Sequence, residues 1–270
     1  MLATLAVPAF AQLKTPRPSL HSALTQTVGL TDVTITYSRP GVKGRKIWGG
    51  LVPYGQVWRT GANEATTISF SDDVTINGKD LPKGSYSLHT IPGADEWTLI
   101  FNKVADQWGS YSYDEKQDAL RVTAKPRPSL EKHEWLTFDA PELSADQATF
   151  VLQWENIEVQ FTVNAHTTSR VMSAAAAAVA AAKPDDWSTP LQAASFAYDN
   201  KMYAEGAKWL DASLKTKETI RNLWLKARVQ AESGNTAEAI KTAERALTLK
   251  TDKDAALAGD IAKQIENWKK

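Results

Sequence analysis

The sequence predicts an all-β N-terminal domain, an antiparallel β-sandwich or jelly roll of about nine strands, followed by an all-α domain of helical repeats. Three observations carry this. Short segments of period-two hydrophobicity alternate with Gly, Pro and Asn turn signals. No segment of helical period and helical length interrupts them before residue 166. Beyond His166 the composition turns abruptly to alanine and other strong helix formers, arranged in an internal repeat. A closed barrel satisfies the same strand pattern.

The first eleven residues, MLATLAVPAFA, are apolar, uncharged and end in Ala9-Phe10-Ala11, the small-x-small pattern of a signal-peptidase site. Lacking a basic leading region, they are expected to be a truncated signal peptide (1–11), with a periplasmic or secreted mature chain starting near Gln12. The chain holds no cysteine, which excludes thiol catalysis, zinc-thiolate sites and lipid attachment at a cysteine. Lys+Arg and Asp+Glu are 31 each, so no global field favours nucleic acid or a membrane surface. No stretch is long and apolar enough to span a bilayer.

The β domain is expected over 12–165. Gln12 to Thr31, with Pro16 and Pro18, reads as a polar lead-in lying along a sheet edge. The first clear strand has Val33, Ile35 and Tyr37 alternating with Thr34, Thr36 and Ser38. Further strands are expected at Thr66 to Phe70, Val74 to Asn77, Ser85 to Ile91, Trp97 to Asn102, Ala119 to Ala124 and Trp135 to Asp139. Thr149 to Glu155 and Ile157 to Val163 read as a hairpin pinched at Asn156. Between the first two strands runs YSRPGVKGRKIWGGLVPYGQVWRTGANEATT (Tyr37 to Thr67), too rich in glycine, arginine and tryptophan for an ordinary connection.

The α domain is expected over 166–270. Ser173 to Ala182 is nearly all alanine and stops at Lys183-Pro184. YAEGAKWLDASL (from Tyr203) and TAEAIKTAERAL (from Thr236) align at an offset of 33, matching Ala204/Ala237, Glu205/Glu238, Lys208/Lys241 and Leu214/Leu247. This period resembles the tetratricopeptide repeat and implies helix pairs, with a protein or peptide partner as one use of their surface.

The chemistry-bearing residues concentrate in the glycine-rich stretch. Arg59 offers a rigid donor fork for carboxylate or phosphate, Asn63 both donates and accepts, Glu64 is an acceptor or general base, and Trp58 is a flat stacking face. Arg39 and Arg45 stand beside Trp48 in the same stretch. The competing expectation is structural, with Arg59 and Glu64 paired to each other. A second polar cluster, WGSYSYDEKQD, ends in Asp118 and is followed by Arg121. The candidate ligand-binding set is therefore Arg39, Arg45, Trp48, Trp58, Arg59, Asn63, Glu64, Asp118 and Arg121. The four histidines have no metal-binding spacing and the glycines no phosphate-loop pattern, so neither a metal nor a cofactor is expected. His21, Glu64 and His89 form a combination that only the fold can bring together.

The long glycine-rich run, LPKGSYSLHTIPGADEWTLIFN and WGSYSYDEKQDALRV, in this order and spacing, resemble the bacterial family called domain of unknown function 2911. The resemblance covers about Leu20 to Val163 and implies an exported protein, but no catalytic residues. Three functions stay open on the residues: a non-enzymatic binding module for a small polar or glycan-like ligand at the Arg59/Glu64 loop, an exported glycosidase-like hydrolase using Glu64 or Asp118, and an interaction scaffold acting through the repeats.

Overall fold

The structure is a computed structural model describing residues 15–270, so the expected signal segment lies outside the described residues. The chain forms two compact units, the first ending at Thr167 and the second running from Thr168 to Lys270.

Ten strands build the first unit: β1 Leu20–Val28, β2 Thr31–Arg39, β3 Thr67–Phe70, β4 Val74–Ile76, β5 Lys79–Leu81, β6 Gly84–Ile91, β7 Trp97–Asn102, β8 Asp118–Ala124, β9 Arg127–Leu143 and β10 Gln147–Asn164. They form two antiparallel sheets, one of six strands in the order β1-β2-β3-β6-β7-β8 and one of four in the order β5-β4-β10-β9. Period-two alternation sends Val33, Ile35, Ile68, Phe70, Leu88, Trp97 and Phe101 inward from the first sheet. They meet Leu136, Phe150, Trp154 and Phe161 from the second in one hydrophobic core.

Three expectations change. The polar lead-in contains a full strand, β1, which pairs with β2 along its whole length and forms the edge of the sheet. The two-residue turn at Gly29-Leu30 joins them, with Gly29 at φ +60°. A Cβ at Gly29 would lie 1.9 Å from Thr167 Oγ1, so only glycine fits. The expected hairpin at Asn156 is instead one continuous strand, β10, pairing with a β9 longer than expected. The irregularity is a bulge: Glu155 has φ +57° and the β9 register shifts on either side of it. A short strand, β5, forms between the expected strands Val74 to Asn77 and Ser85 to Ile91, where none is expected.

The glycine-rich stretch 40–66 lacks regular structure yet is well packed, because its tryptophans belong to the core. Trp48 meets Trp97 at 4.9 Å and Trp154 at 5.7 Å, and Trp58 stacks on Trp154 at 5.8 Å with planes 17° apart. Burial of aromatics of this size and a dense set of turn hydrogen bonds hold the segment together.

The second unit consists of α1 Thr167–Ala180, which begins at the boundary, and α2 Ser188–Asp199, α3 Tyr203–Thr216, α4 Ile220–Glu232, α5 Thr236–Thr248 and α6 Ala255–Trp268. Its apolar faces pack through Leu191, Ala194, Leu210 and Leu225, and through Leu223, Ala227, Ala243, Ile261 and Ile265. Among the described residues no helix is long and apolar enough to cross a membrane.

Candidate functional site

The turn 59–66 is pinned at both ends. Trp58 exchanges backbone hydrogen bonds with Thr90 (2.7 and 2.9 Å), Thr66 N–H donates to the Arg59 carbonyl, and Leu88 N–H donates to the Thr66 carbonyl. Thr66 Oγ1 donates to the Thr60 carbonyl at 2.8 Å, and Ala65 N–H to the Gln107 carbonyl at 2.9 Å. Thr60 and Asn63 both take positive φ, +55° and +59°, an uncommon backbone that turns successive side chains to different sides. Consequently Arg59 and Glu64 do not pair. They line two separate cavities.

The Glu64 cavity, about 480 Å³, lies against the outer face of the six-stranded sheet. Thr36 and Ser38 of β2 and Thr67 of β3 supply hydroxyls, β1 supplies His21, and the β7–β8 loop supplies Asp106. The register His21↔Ser38 and Thr36↔Thr67 sets three of these strands side by side. Arg17 closes one wall, donating to both Glu64 oxygens at 2.6 and 2.9 Å and lying over the Trp108 ring at 5.8 Å. That hydrogen bond, more than any other influence, holds the Glu64 carboxyl below its usual range. The hydroxyls of Thr36, Ser38 and Thr67, the His21 ring and the Asp106 carboxylate have no hydrogen-bond or ion-pair partner among the described residues. Nearby loop aromatics are open to solvent, Trp108 at 59% and Tyr111 at 85%.

The Arg59 cleft, about 300 Å³, has Arg45, Arg59 and Asn63 with Leu51, Val52, Trp58 and Trp154 among its walls, and no carboxylate. Asn63 donates to the Ser19 carbonyl at 3.1 Å. Arg45 donates to the carbonyls of Val42 and Gly41, fastening its own loop.

The other sequence candidates line neither of these two cavities. Arg39 donates to the Leu136 carbonyl and Thr137 Oγ1 of β9, tying the two sheets together. Trp48 is buried in the core. Asp118 and Arg121 line a third, shallow cavity of about 420 Å³ with Glu115 and Lys116, and are tied to each other there: Tyr113 donates to Asp118 Oδ2 at 2.7 Å, Arg121 Nε to the same oxygen at 2.6 Å, and Asn102 to Oδ1 at 2.8 Å. Burial, and then the Asp118 bond, push the Tyr113 hydroxyl up to about 12. Beside it His89 is fully buried, its ring 5.1 Å from Tyr113. The Gly109 backbone is near enough to favour the charged ring, but neither nitrogen makes a geometric hydrogen bond, and burial dominates, lowering the His89 pKa. His21 and Glu64 thus share a cavity, and His89 does not line it.

Sequence reasoning passed over Arg17, Thr36, Ser38, Thr67 and Asp106 as site residues. The alternation of β2 marks Thr36 and Ser38 as outward-facing, and that is the available signal. Among the described residues no group of His, Asp and Glu is arranged to hold a metal.

Fold and site together define a two-sheet β unit with two polar cavities on either side of one fixed turn, joined to a helical unit. The chain belongs to the family described as protein of unknown function (DUF2911), whose profile matches residues 19–163, just over half of the 270. Neither the curated proteins nor the solved structures compared with it contain a match.

Proposed function

We propose that the β unit binds a small polyhydroxylated, glycan-like ligand in the Glu64 cavity. The observation that carries this is the unmet hydrogen-bonding capacity there: three hydroxyls, an imidazole and a carboxylate line one space, none with a hydrogen-bond or ion-pair partner among the described residues. Hydroxyls that donate and accept, set beside acceptor carboxylates, complement vicinal diols, and the volume lies in the range of small-molecule sites. The test is ligand-observed NMR against a panel of mono- and disaccharides, with Asp106→Asn and Thr67→Val as variants. Saturable binding weakened by both is expected; a panel without a binder, or binding indifferent to both, refutes the reading.

The hydrolase alternative gains nothing from the geometry. Glycoside hydrolysis needs a carboxylic acid kept protonated near neutral pH. Glu64 is shifted the other way by Arg17, and Asp118 is committed to Tyr113, Arg121 and Asn102.

We read the finer architecture as a plain antiparallel sandwich in preference to a jelly roll, since most neighbours in the six-stranded sheet follow chain order. The helical unit we read as tetratricopeptide-like, supported by α3 and α5 starting 33 residues apart. A peptide partner there is the second functional reading, favoured by a cavity of about 390 Å³ lined by Tyr198, Trp224, Arg228, Glu232 and Trp268. We also propose export to the periplasm or medium, on the strength of the apolar leader; a mature N-terminus near Gln12, found by mass spectrometry of the secreted or periplasmic chain, tests it.

A further inference from the structure

We propose that the Arg59 cleft is a second, independent site, for a small organic oxyanion, a carboxylate or phosphate monoester, with an apolar body.

Charge comes first. Arg45 and Arg59 line the cleft and no acid does. Neither arginine takes part in the ion pairs that Arg17 makes with Glu64 and Arg121 makes with Glu115 and Asp118. Arg45 is partly satisfied by carbonyls, whereas Arg59 makes no side-chain hydrogen bond among the described residues. A partly buried guanidinium in a concave place without a counter-charge is favourably completed by an anion.

The second observation is independent of charge. Two polar atoms of the lining residues are buried without a partner, Arg59 Nε and Trp154 Nε1, and both are donors. Trp154 is a fully buried core residue, so its indole N–H has no access to bulk water. Buried orphan donors are uncommon in folded proteins. Two of them in one cleft match the acceptor surplus of an oxyanion.

Shape supplies the rest of the ligand. Leu51, Val52 and the stacked Trp58–Trp154 pair line the same cleft and give it apolar surface suited to a ring or short chain. Inorganic anions alone would leave that surface unused.

The experiment uses the full chain labelled with ¹⁵N, in which ten indole N–H resonances are distinguishable and Trp154→Phe assigns the relevant one. Benzoate, phenyl phosphate and neutral benzyl alcohol are titrated in turn. The expected result is saturable binding of at least one anion with a downfield shift of the Trp154 indole proton. Benzoate against phenyl phosphate distinguishes the two anion types. Arg59→Gln should weaken binding about 10-fold or more, the loss of one charge-assisted hydrogen bond. Arg59→Lys, which keeps the charge and loses the fork, should fall between, and it serves alone if Arg59→Gln does not fold. The charge-matched control Lys226→Gln, in the helical unit, should bind as the parent does. Failure of both anions to bind at tens of millimolar, equal binding of benzyl alcohol, or anion binding unchanged in Arg59→Gln and Arg59→Lys would overturn the proposal.

Discussion

Arg59→Met should leave the β unit as stable as the parent or make it more stable. Among the described residues the Arg59 side chain makes no hydrogen bond and no ion pair, and its buried Nε has no acceptor. An unsatisfied buried donor costs about 1–3 kcal/mol, more when charged. Methionine retains the unbranched stem that packs along the cleft wall while removing the donor. The balance is therefore a gain of about 0–2 kcal/mol, whereas Arg59→Ala also loses the stem and should come out close to neutral. The assay is urea unfolding of the ¹⁵N-labelled full chain, followed through the indole N–H resonances of Trp48, Trp58, Trp97 and Trp154 so that the β unit is observed separately from the helices, which carry tryptophans of their own. Destabilisation of Arg59→Met by 3 kcal/mol or more would show that the guanidinium is held by a structural bond, and the oxyanion argument would fall with it. A neutral or stabilising result is the behaviour of a residue retained for binding.

Glu64→Ala, by contrast, breaks an exposed pair with Arg17, and its unfolding midpoint should shift by less than about 1 kcal/mol in free energy. His89 is buried with a lowered pKa, so the unfolded chain binds a proton near pH 6.5 that the folded chain refuses. Stability should therefore fall as pH drops below about 6.5, by at most about 1.4 kcal/mol per unit from this group. Comparing His89→Phe with the parent by urea unfolding at pH 7.5 and 5.5 checks it, and an identical pH dependence in both would refute the assignment. Asp118→Ala strands donors from Tyr113, Asn102 and Arg121 and should cost about 1–3 kcal/mol in the same assay. The Tyr113 phenol, relieved of its carboxylate acceptor, should then titrate at lower pH in an ultraviolet titration.

Much of the β unit was legible wherever a strand has one wet and one dry face. β2 shows this: Val33, Ile35 and Tyr37 bury and Thr34 and Thr36 do not. β1 escaped because its alternation is faint, with Leu20 and Leu24 separated by polar residues and preceded by Pro16 and Pro18; an edge strand buries too little to need a strong pattern. β10 was split because a bulge and a turn interrupt periodicity alike, and Glu155-Asn156 carries no mark that separates them. At the site, density of arginine and tryptophan singled out the right stretch, but residue type does not say which way a side chain leaves a tight turn. Trp48 and Trp58 went to the core for the reason that makes them attractive in a pocket, their large apolar faces. Thr36 and Ser38 looked like ordinary solvent-facing positions until the 103–110 loop and β1 walled them in.

The rigidity of the turn is what gives the two cavities functional meaning. A loop of positive-φ residues without regular hydrogen bonding would ordinarily be mobile, and a ligand would have to order it at a cost in conformational entropy. Here that ordering is completed on folding: Trp48 and Trp58 anchor the stretch in the aromatic core, and the Trp58–Thr90 exchange fixes its far end to β6. Arg59, Asn63 and Glu64 are thus presented on a preformed frame. The same pinning isolates the cavities from each other, because Thr66 Oγ1 bonded to the Thr60 carbonyl closes the turn on itself and leaves little movement by which a ligand on the Glu64 side could shift Arg59. Two sites that share a turn without sharing its motion are expected to fill independently, so the unit is better understood as one rigid frame with two ligand faces than as a switch.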